Sequence, residues 1–340
     1  MDQEEHEQHL KIASDMVSKA KFILPLLLLI SLTVNSKNLD SPCTAATNDL
    51  SFSPNGKLLA SVNTENQIMI WEFETGQLKS KIKSQTSYMS ELDWTPDGEH
   101  IVSASRGGEL ELININTGNS IWKVGDFNKA SYRIDGGLGQ VEVSPSGKYV
   151  ATLQTFPVSI LVLYEIQSGS KLMEISLDEQ TDVFVWGSDD KTVYTADVNG
   201  FINEMDLNQK SITSSFQVSN SRLIDLDFKE DKILCGGKSG QLILLDLISG
   251  KVIQKYSHNS FINRVAFLPK NNLAASVGGT GFLKIWSIQT DKLIISTKAH
   301  IDISYYVSSH PDEEFLATSG EDNCIRIWNI HELGSFNTIK

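Results

Sequence analysis

Gln67-Ile68-Met69-Ile70-Trp71-Glu72 and, much later, Cys324-Ile325-Arg326-Ile327-Trp328-Asn329 show one pattern at two places in a 340-residue chain. In both, alternating and β-branched apolar residues run up to a tryptophan followed by a polar residue, as in a short strand with one face more buried than the other. Working outward from Trp71, the same strand ending recurs at Ile113, Tyr164, Met205, Leu245, Trp286 and Trp328, at intervals of 42, 51, 41, 40, 41 and 42 residues. The residues that follow are Glu72, Asn114, Glu165, Asp206, Asp246, Ser287 and Asn329. Self-similarity at a fixed period near forty means one small structural unit repeated, here seven times.

Each unit carries its own turn chemistry. Five residues past the marker stand Gly76, Gly118, Gly169 and Gly250, with Lys210, Asp291 and Leu333 at the equivalent places. Glycine there supplies the positive φ of a tight turn into the next strand. Nineteen residues before the marker, four units carry Phe52, Trp94, Trp186 or Phe267. Ser53-Pro54-Asn55-Gly56 and Thr95-Pro96-Asp97-Gly98 follow the first two, with Ser144-Pro145-Ser146-Gly147 and His310-Pro311-Asp312-Glu313 as variants. Proline presets φ, and the Asn/Asp-Gly pair completes a β-turn.

From about residue 44 to 330 the chain resembles the WD-repeat (WD40) β-propellers, which implies an all-β fold of seven four-stranded antiparallel blades. The resemblance also implies a hydrogen-bonded His, Ser/Thr, Asp and Trp in each well-kept blade. The last blade has all four as His300, Thr318, Asp322 and Trp328, while the sixth keeps His258, Ser276 and Trp286 but has Thr280 in place of the Asp. Blades two to five have lost the Trp, so apolar packing is expected to replace the network there.

Residues 1–21 read as an acidic, polar tail, 22–43 as an apolar segment, and 44–340 as the propeller. A ring must pair its last blade with its first. Two segments compete for that strand: the N-terminal stretch Leu29 to Lys37, or the chain end Ser335 to Ile339. The uncharged run Phe22 to Val34 is then either part of the closure or a membrane contact, being shorter than the roughly 20 residues of a spanning helix. Cys43, Cys235 and Cys324 are an odd set without metal-ligand spacing. This argues against a disulfide framework and for a reducing, cytoplasmic compartment, the alternative being an endomembrane anchor through residues 22–36.

A formal charge of −13 disfavours nucleic acid and favours a basic partner. Catalysis would need convergent titratable groups, and none is legible, so no enzyme, cofactor or metal is expected. His6 and His9 read as solvated surface. The glycine clusters at Gly136-Gly137 and Gly278-Gly279 read as turns, since neither opens a helix with the Lys of a phosphate loop. The expected function is a non-catalytic scaffold, monomeric within a larger hetero-complex, that docks a protein or peptide on the narrow face. The alternative is a membrane-anchored propeller of the secretory pathway. Six residues before each inner-strand marker the chain enters that face at Ala46, Tyr88, Gly137, Gln180, Arg222, Phe261 and Ile303. Tyr88, Arg222 and Phe261 are of the types that dominate interfaces. The 51-residue interval adds an insertion within Asp126 to Gln140, which brings Tyr132 and Arg133 to the same face.

Overall fold

Seven four-stranded antiparallel sheets follow one another along the chain in a computed structural model that describes residues 36–38, 47–86, 89–125, 138–155, 158–268, 270 and 272–334. These residues belong to the compact unit 36–340. In six blades the strands pair in chain order; the first is Thr47–Phe52, Leu58–Asn63, Gln67–Glu72 and Leu78–Lys83. The other inner strands are Met89–Trp94, Leu138–Val143, Thr181–Trp186, Leu223–Lys229, Ile262–Leu268 and Ser304–Ser309.

The seventh blade decides how the ring closes. Its first three strands are Ser304–Ser309, Phe315–Gly320 and Ile325–Asn329, and its outer strand is Ser36–Asn38 from the other end of the chain. The register pairs Ser36 with Trp328, Lys37 with Ile327 and Asn38 with Arg326. The closing strand is therefore N-terminal and begins just past the apolar run. That run and Ser335 to Ile339 both lie outside the described residues.

The cysteines depart from the sequence reading. Cys324, immediately before Ile325–Asn329, is disulfide-bonded, although the odd count argued against disulfides. Cys235 is free and buried, and Cys43 lies outside the described residues.

Burial falls from the inside of each blade outward. Second strands such as Leu58–Asn63 are buried at every residue, while outer strands such as Leu78–Lys83 expose most of theirs. Small residues fill the second strands because sheets stacked on both faces leave only about 10 Å between them. The hydrophobic cores lie between blades rather than within them. Ile68, Ile70, Leu92 and Trp94 join blades 1 and 2, and Val183, Ala196, Leu226 and Ile233 join blades 4 and 5. Leu50, Trp71, Ala317 and Ile327 join blade 7 back to blade 1. A clasp reinforces that last junction: His310 stacks on Phe73 at 4.4 Å and its Nε2 lies 2.8 Å from the Gly56 carbonyl.

The turn after six of the seven markers is left-handed whether or not it holds glycine. Gly76, Gly118, Gly169 and Gly250 have φ of 65 to 71°, and Lys210 and Asp291 reach 54° and 57°. Leu333 differs because the chain there enters a short helix, Ile330–Gly334.

Candidate functional site: the narrow face and the inner ring

In an antiparallel meander, the loops from one blade's outer strand to the next blade's inner strand share a face with the turns between second and third strands. This is the narrow face, and the histidines of the repeat lie under it. In blade 7, His300 Nδ1 is 2.7 Å from Asp322 Oδ1, its Nε2 is 2.9 Å from Thr318 Oγ1, and Trp328 Nε1 donates to that same hydroxyl at 2.9 Å. Burial pushes the His300 pKa down despite its carboxylate neighbour. In blade 6, Trp286 Nε1 still donates to Ser276 Oγ at 3.0 Å. With Thr280 in place of the Asp, His258 Nδ1 turns to Ser260 Oγ at 3.1 Å, and its Nε2 has no partner among the described residues.

Where the marker is not Trp, the second-strand hydroxyl loses its donor. Ser103 and Thr152 occupy the places of Ser61 and Ser276, and their hydroxyls are buried without a partner among the described residues. Blade 5 avoids the problem with Cys235, a small apolar side chain at that place.

A second network was not read from the sequence. Each inner strand turns an unpaired edge toward the central channel, so its outward N–H groups need acceptors. At the entries to blades 2, 3, 4 and 6 the previous blade supplies carboxylates. Leu92 N donates to Asp49 Oδ2 at 2.8 Å, Val143 N to Asp93 Oδ2 at 2.8 Å, and Trp186 N to Glu142 Oε2 at 3.1 Å. Val265 N donates to Asp225 Oδ2 at 2.7 Å and Phe267 N to Asp227 Oδ2 at 2.6 Å. Blade 6 carries the opposite charge at this level. Arg264 Nη2 is 2.6 Å from Glu91 Oε1 and 3.1 Å from the Tyr306 hydroxyl, and its Nε lies 3.7 Å from Asp225 Oδ1. Burial raises the carboxyl pKa values, to about 7 for Asp93 and Asp225 and about 6 for Asp227, with Asp49 and Glu142 well above the usual range. Shifts of this kind also mark active sites. Here each named carboxylate is occupied by a backbone N–H of the neighbouring blade, so its chemistry is joining blades.

On the narrow face itself, Arg222 is held by Asp182 in a bidentate pair, Nε to Oδ2 at 2.7 Å and Nη2 to Oδ1 at 2.6 Å. The pair joins blades 4 and 5, where blade 4 has Val183 and Val185 in place of inner-strand acids. Phe261 is half-buried: its ring lies against Gly279 so closely that a Cβ there would run into it, and Lys238 Nζ sits 5.0 Å from the ring centroid. Backbone hydrogen bonds tie these loops in sequence, Lys238 N to Arg222 O at 3.0 Å, His258 N to Gly240 O at 2.8 Å and Gly279 N to Phe261 O at 3.0 Å. Arg222 and Phe261 thus occupy one braced sector, with Gln180 exposed and Ile303 half-buried on the same face. Tyr88, Tyr132 and Arg133 lie outside the described residues.

Among the described residues, Asp97, Glu99 and His100 come close enough together to suggest a cation site. Asp97 Oδ1 already accepts from Thr95 Oγ1 and Glu99 N within an exposed turn, which explains their proximity.

The WD-domain, G-beta repeat family model matches residues 250–287 and 291–329, the sixth and seventh units of this ring. The chain is a seven-bladed β-propeller with WD repeats in its last two units. The model for eukaryotic translation initiation factor eIF2A matches residues 33–128. Among curated proteins, this WD-repeat chain is 21% identical to eukaryotic translation initiation factor 3 subunit I of Brugia malayi over 80% of its own length and 89% of the relative's. It is 22% identical to a WD repeat-containing protein 26 homolog of Arabidopsis thaliana, covering 86% of this chain and 50% of that one. The β-propeller domain of Myceliophteria thermophila Cps50 (Swd1) superposes with a TM-score of 0.75 at 18% identity, covering 87% of this chain and 99% of that domain. That likeness is one of fold.

The inner carboxylates had a sequence signal: Asp49, Glu91, Asp93, Glu142, Asp225 and Asp227 alternate with large apolar residues such as Leu50, Leu92, Trp94, Val143, Leu226 and Phe228. Nothing in one blade's sequence shows that the donors to these carboxylates are backbone N–H groups of a strand edge some 40 to 50 residues on.

Proposed function

We propose that this chain is a non-catalytic interaction scaffold that docks a protein or peptide on its narrow face within a larger complex. The reading rests on one observation: Phe261 and Arg222 are preorganised in a single hydrogen-bonded sector, so a partner need not order them on binding. Relatives named as initiation factor subunits support a role inside an assembly and a cytoplasmic location. Tyr88, Tyr132 and Arg133 are assigned to the same face as further contacts. The whole-molecule charge of −13 favours a basic partner at long range, whereas the Arg222–Phe261 sector has the opposite sign. The test is affinity capture of the full chain and of Phe261→Ala, with stoichiometric partners read by mass spectrometry. Loss of a partner with Phe261→Ala is expected; an unchanged set with a folded variant rejects the sector as the docking site.

One observation favours a second reading, a propeller of the secretory pathway. The disulfide at Cys324 is of a kind that persists in oxidising compartments. Among the described residues no helix is long and apolar enough to cross a membrane. Carbonate extraction of membranes separates the readings: a propeller anchored through residues 22–36 stays in the pellet, and a cytoplasmic one is recovered in the supernatant.

A further inference from the structure

Charge on the narrow face is segregated. Glu65, Glu109, Asp178, Glu179, Asp302 and Glu321 lie in its loops and turns outside blades 5 and 6. The loops that enter blades 5 and 6 and their second turns, residues 217–222, 238–241, 258–261 and 279–281, hold no carboxylate in a chain with 42 of them, and Asp302 lies in the loop that leaves blade 6, its carbonyl against Gly281. The same segments carry Arg222 and Lys238, both exposed, and Asp182 beside them is already neutralised by Arg222.

A cavity of about 490 Å³ opens in this sector, lined by Gln217, Ser219, Ser221, Ser239, Gln241 and Lys255 among others. Its polar lining combines the amides of Gln217, Asn220 and Gln241 with hydroxyls and a lysine that can donate. Ser219 Oγ accepts from Ser221 N at 3.1 Å and Ser239 Oγ accepts from Gln241 N at 3.2 Å, so each hydroxyl keeps its own proton to donate. Lys255 Nζ spends one N–H on the Val218 carbonyl at 3.0 Å and has two more. A cavity lined by Lys255 and serine hydroxyls, with the Lys238–Phe261 pair starting one residue before Ser239 of its lining, suits carboxylates next to an apolar side chain.

We infer that the sector formed by blades 5 and 6 binds an acidic peptide segment of a partner protein. Its Asp or Glu carboxylates meet Lys255, Lys238 and the Ser219 and Ser239 hydroxyls, and an apolar residue rests on Phe261. The inference deepens the docking function proposed above and depends on it. Charge complementarity selects this occupant, since a basic segment would meet Lys238 and Lys255 while the carboxylate of Asp182 is already paired with Arg222.

A phage-displayed library of random peptides is selected on the full chain and, in parallel, on Lys238→Glu, on Lys238→Glu/Lys255→Glu and on Phe261→Ala, each checked for folding by thermal melting. The single variant keeps the test valid should loss of the Lys255–Val218 bond unfold the double one. The expected result is enrichment of Asp and Glu over the input library, with a synthesised winner binding about tenfold more weakly to the double variant and several-fold more weakly to the single one. Neutral or basic winners, no winners, or winners indifferent to both lysines overturn the acidic-peptide inference. So does lysine-dependent binding of oligouridylate or phosphatidylserine vesicles without acidic winners. Winners lost with Phe261→Ala but not with the lysine reversals keep the docking function and reject the acidic partner. Winners that ignore Phe261 as well reject both.

Discussion

Arg264 reaches across the channel to Glu91: the Nη2 to Oε1 distance is 2.6 Å although 173 residues separate them in sequence. Arg264 belongs to blade 6 and Glu91 to blade 2, so this contact ties together parts of the ring that share no sheet. It is the positive centre of a level that also holds Asp49 and Asp225.

Removing that centre is therefore expected to be costly at neutral pH. Arg264→Met leaves Glu91, Asp225 and Asp49 buried with no cation, a loss of about 3–5 kcal/mol for a broken buried pair. Urea midpoints measured for wild type and variant at about pH 7.5 and again near pH 5.5 check it. The deficit shrinks at the lower pH, where the acids take up protons; an equal deficit at both would mean that Arg264 acts by packing alone.

Asp225 gives the ring a pH dependence whose sign is unusual for an acid. Burial raises its pKa from 3.8 to about 7 in the fold. The folded chain thus holds a proton that the unfolded chain has released, so stability from this group is full below about pH 4 and lost as pH rises through about 7. Asp225→Asn keeps an oxygen for Val265 N and removes the titration. Melting temperatures across pH 5 to 8 are expected to move in the variant's favour as pH rises, relative to wild type; a constant difference would count against the shift.

The buried hydroxyls predict opposite effects from one substitution. Thr152→Val removes an oxygen with no partner among the described residues and is expected to be neutral or to stabilise by about 1 kcal/mol. Thr318→Val strips both Trp328 Nε1 and His300 Nε2 of their partner and is expected to destabilise by roughly 1–3 kcal/mol. Chemical denaturation of the two variants side by side reads the difference directly.

Thiol counting tests the cysteine assignment. Cys235 is fully buried and its pKa is pushed up to about 12, so it is expected to be silent to Ellman's reagent in the native protein. Cys324 stays silent even in urea until reductant is added, because its sulfur is in a disulfide. Peptide mapping after alkylation assigns each signal; Cys324 alkylated without reductant would remove the disulfide from the description.

The repeat was legible because it rests on local chemistry written seven times: a strand ending in a bulky residue, a turn with its own φ requirement, a small-residue strand. Lys210 and Asp291 show how strong that local demand is, since both take left-handed φ where the other units use glycine. The blade 7 network was legible for the same reason, its four residues lying within one unit. Ring closure was left open between two termini, because sequence offers two strand-like segments and only the register with Trp328 chooses between them. The inner carboxylates, the Arg264 bridge and the acid-free sector are relations between blades. They depend on which strand edge or loop faces which, and that is set by the turn of the ring rather than by any single repeat.

Ser36–Asn38 lies opposite Arg326–Trp328, so the strand that completes the last blade leaves the ribosome about 290 residues before its partner. At typical synthesis rates of about 5–20 residues per second, the first segment waits on the order of 15–60 s before a partner exists. Through that interval Ser36–Asn38 has no sheet to join, and the face of blade 1 that packs on blade 7 stays wet.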